Sequence, residues 1–96
     1  MMKTVTIDGK DFHTKCELHE QLKEKLELPD FYGANLDALW DCITGMIELP
    51  LELHWLHYNV SEQRLGAQAQ RVRALLEEAQ NENIGFTFIV EDEAHV

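Results

Sequence analysis

Three stretches of this chain are patterned as strands and helix-spaced residues separate them, an order that leaves few ways to fold. Thr4-Val5-Thr6-Ile7 alternates polar and β-branched residues and meets Asp8-Gly9, a strand running into a turn. Leu49-Pro50-Leu51-Glu52-Leu53-His54-Trp55-Leu56 alternates after its proline, and Ile84-Gly85-Phe86-Thr87-Phe88-Ile89-Val90 is an apolar closing strand. Between the first two, Thr14-Lys15-Cys16-Glu17 is a capping box that opens a helix. Leu18, Leu22 and Leu26 give that helix a narrow apolar stripe, and Leu28-Pro29 ends it. A second helix starts at the N-cap Asn35 and takes Gly45 as its C-terminal cap. Residues 56–66 read as a short helix or an irregular turn. Leu65, Val72, Leu76 and Ala79 then mark one stripe on a long helix ending near Asn81-Glu82-Asn83. Strands joined through helices pair in parallel with right-handed crossovers. The predicted fold is therefore α/β, a small single-domain sandwich with a three-stranded parallel sheet packed with helices. Its 96 residues suit one domain, placed at residues 1–91, with a polar C-terminal tail at 92–96.

The segment from Leu28 to Gly45 carries the strongest functional signal. Asp37, Asp41 and Thr44 fall at i, i+4 and i+7 and share one helix face, while Leu36, Leu39 and Ile43 fall on the opposite one. A helix this short persists only by packing its apolar side, so the two carboxylates point outward from a rigid element. From Glu27 to Glu62 the sequence contains no Lys or Arg to neutralise them. Such a face calls for a positively charged partner. Trp40 lies at its edge, as a boundary core residue or as a wall of the contact surface. Phe31 and Tyr32 sit in the preceding turn, where aromatics beside acids are an interface signature. Met46 adds an adaptable apolar contact or fills core. Glu78 and Glu82 are like charges at i, i+4 near a helix C-terminus, locally unfavourable and so a hint of a role elsewhere.

Composition narrows the classes. The formal net charge of −10 argues against nucleic acid as a direct ligand and against an anionic membrane surface, and favours electrostatic steering toward a basic protein. Acidity also serves solubility alone, but here the charge is unevenly placed: all five Lys lie between Lys3 and Lys25 and all three Arg between Arg64 and Arg73. The N-terminus lacks a signal-peptide apolar region, so a cytoplasmic protein is expected. Cys16 and Cys42 each sit in a predicted helix beside apolar neighbours and are expected as buried, reduced thiols. Catalysis by Asp37 and Asp41 is disfavoured by their expected exposure, since raised carboxylate pKa values need burial. His54 and His57 lack the tight Cys/His spacing of a zinc site, and the scattered glycines form no phosphate-binding loop. No enzyme activity, cofactor or metal is expected.

Leu28-Pro29, the run Leu36-Asp37-Ala38-Leu39-Trp40-Asp41-Cys42, Thr44-Gly45, Glu48 and Pro50 together resemble the barstar family of intracellular ribonuclease inhibitors. The resemblance extends over nearly the whole chain, from Asp8-Gly9 through Leu18-His19 to Glu78 and Glu82. It implies a small α/β sandwich with a three-stranded parallel sheet, in agreement with the fold read from periodicity. It further implies an immunity protein that blocks a basic secreted or toxin ribonuclease, is a monomer when free, and binds no nucleic acid or membrane itself. Carried over by residue, the resemblance implies partner contacts from Gly33, Asn35, Leu36, Asp37, Asp41, Thr44, Glu48 and Glu78, with Glu82 assisting association. Asp41 is central, its carboxylate standing in for an RNA phosphate. Trp40 joins this set as the wall of the surface. Three positions depart from the pattern: Phe31 replaces a tyrosine, Met46 a tryptophan and Ala34 a glutamate. Phe31 and Met46 remain contact candidates, and the departures leave open a barstar-like binding module for a different basic protein.

Overall fold

A computed structural model describes residues 3–30 and 32–91. The expectations for Phe31 and for the 92–96 tail fall outside them. Strand β1 (Lys3–Asp8) leads into a single 3-10 turn (Gly9–Asp11), followed by helices α1 (Lys15–Leu26) and α2 (Leu36–Gly45). Strand β2 (Leu51–Leu56), helices α3 (Tyr58–Leu65) and α4 (Ala67–Glu82) and strand β3 (Phe86–Glu91) complete the order. The sheet has the order β1-β2-β3 with both pairs parallel, as predicted. Its register aligns Val5 with Leu53 and Leu53 with Phe88, then Ile7 with Trp55 and Trp55 with Val90. Val5, Ile7, Leu51, Leu53, Trp55, Phe86 and Phe88 therefore share one buried face, because side chains two apart on a strand point the same way.

Trp55 sits at the centre of that face, fully buried. Phe12, Tyr58 and Phe88 meet it edge-on, with ring centroids 6.3, 5.1 and 6.5 Å away. Its indole N–H donates to Ser61 Oγ at 2.9 Å, so the buried donor is satisfied. The Leu18-Leu22-Leu26 stripe of α1 is buried, as is Val72-Leu76-Ala79 of α4. Each of these leucines contributes about 1.5–3 kcal/mol of burial free energy.

The structure refines several boundaries. Asp8-Gly9 opens a 3-10 turn, which Arg64 holds by donating from Nη1 to the carbonyls of Gly9, Lys10 and Phe12 at 3.3, 3.1 and 3.2 Å. Within residues 56–66 the chain forms the helix α3 from Tyr58 to Leu65, and Leu65 belongs to it rather than to the stripe of α4. The Thr14 hydroxyl caps Glu17 N at 3.1 Å, but the Glu17 carboxylate accepts from the amide of His13 at 2.6 Å, so the capping box is displaced by one residue. Helix α1 ends at Leu26, one turn before Pro29 stops anything, because Glu27 adopts the left-handed conformation (φ 55°). Gly45 is the last helical residue of α2, with Met46 as its C-cap. Cys16 is exposed, since it lies off the leucine stripe; Cys42 is buried, and both are free. No helix among the described residues is long and apolar enough to cross a membrane.

Candidate functional site

The turn into α2 is built from three adjacent constraints. Ala34 takes a left-handed backbone (φ 53°), which swings the chain into the helix. Asn35 caps it, its Oδ1 accepting from Ala38 N at 2.8 Å while its Nδ2 donates to the Gly33 carbonyl at 3.3 Å. A Cβ on Gly33 would stand 3.1 Å from Asn35 Nδ2 and push against the cap. Leu39, Cys42 and Ile43 are buried beneath α2. Packing of that side leaves Asp37 and Asp41 exposed on the other. Among the described residues neither carboxylate makes an ion pair. The Thr44 hydroxyl donates to the Trp40 carbonyl at 2.7 Å, which fixes its rotamer and leaves the oxygen able to accept. The Cys42 thiol is pushed above its ordinary range by burial and then by the neighbouring Asp41 charge, so it is no reactive thiolate.

Helix α4 lies against α2 and completes one edge of the surface. Asp37, Trp40 and Leu36 of α2 face Leu75, Glu78 and Arg71 of α4 across a groove of about 360 Å³. The groove has apolar walls and a carboxylate on each bank. Asp37 and Glu78, 41 positions apart in the chain, are thus brought to one place. At the other end of α2, Met46 (53% exposed) and Glu48 line a second depression with Lys3 and Glu27. Asp41 and Glu82 are exposed and line neither.

Two expectations need correction. Tyr32 is a core residue and no contact: it is buried and its hydroxyl hydrogen-bonds Nδ1 of the buried His19. Nor is the acidic face free of cations. The segment itself has none, but the fold brings Arg71 from α4 and Lys15 from α1 beside Asp37, and pairs Lys3 with Glu27 next to Glu48. Gln68, Arg71, Leu75 and Glu78 recur at helical spacing, a signal that could have placed Arg71 next to Glu78. His54 lies on β2, half-buried, between Glu91 (2.9 Å from Nδ1) and Glu52. Among the described residues no group of three or more His, Cys, Asp or Glu is arranged to hold a metal ion.

Comparison with known proteins adds two findings. A family model described as "Barstar (barnase inhibitor)" matches residues 2–93. A Bacillus subtilis (strain 168) protein named "Putative ribonuclease inhibitor YrdF" is 48% identical over 81 residues, which cover 84% of this chain and 89% of that protein.

Proposed function

The chain belongs to the barstar family, and from that membership we propose that it inhibits a microbial ribonuclease by seating the acidic face of α2 in the enzyme's cationic active site. The observation that carries this reading is the pair of exposed carboxylates Asp37 and Asp41, without an ion pair among the described residues, on a helix fixed from below by Leu39, Cys42 and Ile43. A ribonuclease active site must be cationic to hold RNA phosphate. Carboxylates held rigidly at its mouth make charge-assisted bonds to its Arg and His groups without ordering a flexible loop. Asp41 occupies the phosphate position, with Asp37 and Thr44 to either side along the helix. Gly33, Asn35 and Leu36 meet the partner from the turn, and Trp40 with Glu78 from the groove. Glu48 and Met46 extend the contact beyond the helix end. Glu82 adds charge that speeds encounter, and the net charge of −10 steers a basic enzyme onto this side. The protein acts as an immunity protein in the cytoplasm of the producing cell, as a monomer, with no catalytic group and no nucleic acid of its own. Exposed Ala34 and Met46, in place of glutamate and tryptophan, favour a cognate nuclease other than barnase itself.

RNA cleavage by barnase and by other basic microbial ribonucleases, titrated with the purified protein, tests the reading. Stoichiometric inhibition of at least one of them is expected. Undiminished cleavage by every one, together with capture of a non-nuclease basic protein from the producing cell, would replace it with a binding module for that protein.

A further inference from the structure

We propose that Lys15 and Arg71 form a carboxylate-accepting subsite at the Asp37 end of the acidic face, which takes an acidic side chain of the partner nuclease and so helps select which nuclease is bound. The proposal rests on the nuclease-inhibitor reading above. The opening turns of α1 and α2 converge with α4 on a depression of about 410 Å³, lined by Lys15, Asn35, Leu36, Asp37, Gln68 and Arg71. Two cations there face a single carboxylate, so this corner carries a formal positive charge on a chain whose net charge is −10.

The pairing of the other cations shows that acids are not scarce in this chain, with 18 Asp and Glu against 8 Lys and Arg. Lys3, Lys23 and Arg73 make ion pairs, and Arg64 is spent on three backbone carbonyls. Lys10, Lys15, Lys25 and Arg71 make no ion pair among the described residues, and Lys15 and Arg71 share a depression. Both are exposed. The Asn35 amide is committed to the helix cap, whereas the Gln68 side chain makes no hydrogen bond among the described residues and supplies a further donor. A guanidinium fork, an ammonium and an amide suit a carboxylate. The depression is open and continues along α2 into the face that meets the nuclease, so a side chain on that folded partner reaches it without leaving the interface.

The discriminating measurement is the association and dissociation rates for the wild-type chain, Lys15→Ala and Arg71→Ala with whichever of barnase and the other basic microbial ribonucleases the wild-type chain inhibits most strongly. If the two cations merely dilute an acidic surface, removing either speeds association and leaves dissociation unchanged. The subsite requires the opposite signature, dissociation faster by roughly 3- to 10-fold for each truncation. Variants of that nuclease with each surface acid changed to Ala in turn should then reveal one acid whose loss weakens the wild-type complex and leaves the Arg71→Ala complex unaffected. Unchanged or slower dissociation for both truncations, or no coupled acid, overturns the subsite while tight wild-type binding leaves the inhibitor reading intact. Failure of the wild-type chain to bind barnase and every other basic microbial ribonuclease overturns both. Thermal melts of the two variants check that these exposed truncations leave the fold unchanged.

Discussion

His19 and His54 titrate in opposite senses, and the reason lies in what surrounds each ring. His19 is buried against Tyr32; loss of hydration, then the charge of Lys15, hold its pKa below the ordinary value near 6.5. His54 lies between two carboxylates; hydrogen bonds from its ring to Glu91 and then Glu52 raise its pKa above 6.5. A folded pKa below the unfolded one means that His19 supports the fold above about pH 6.5 and withdraws that support as pH falls through its folded value. A folded pKa above the unfolded one means that His54 supports the fold fully below about pH 6.5 and loses that support as pH rises through its folded value. The melting temperature is therefore expected to decline on both sides of about pH 6.5, and His54→Gln should flatten the alkaline decline alone. An alkaline limb unchanged in that variant would contradict the role given to Glu91 and Glu52. Gly9 is constrained just as locally: an added Cβ would stand 2.3 Å from the His57 carbonyl oxygen and 2.4 Å from Ser61 Oγ.

At the scale of elements, α2 is ten residues long and relies on its cap and its buried side to stay helical. Asn35→Ala should cost about 1 kcal/mol of stability, read as an earlier denaturation midpoint with an unchanged slope. If α2 is the nuclease-binding element, as proposed, the same variant should also weaken nuclease binding, because the cap fixes the helix on which Asp37 and Asp41 stand. Wild-type stability in that variant would show that packing alone holds α2. The helix and its acidic face were legible in the sequence because an N-cap, an apolar stripe and acids at i, i+4 are all local signals. The three-stranded parallel sheet was legible because strands and helices alternate. Tyr32 was misread since its neighbours in sequence are turn residues, while its burial depends on His19, 13 positions away. Cys16 was misread since apolar neighbours in sequence are not neighbours on a helix face. Arg71 was missed for the converse reason: it sits 34 positions from Asp37, and only the packing of α4 beside α2 brings them together.

For the whole molecule, the sheet and its helices form a stiff support that displays one surface. The core centred on Trp55 pins β2, and α2 packs on that body through Leu39 and Ile43. The helices that carry Asp37, Asp41 and Glu78 therefore need no backbone ordering when a partner is met, which spares the entropy a flexible loop would lose. The net charge of −10 acts at longer range, so association with a basic nuclease should slow as salt is added. In the proposed mode of inhibition Asp41 is the anchor in the enzyme's pocket, and the other contacts guide or support it. The most direct test is the dissociation constant of the complex with the inhibited ribonuclease, for the wild-type chain and for Asp41→Ala. A loss of ~2 kcal/mol or more, roughly 30-fold in Kd, is expected of a desolvated central anchor. A loss below about half a kcal/mol would place Asp41 on a solvated rim and contradict the account.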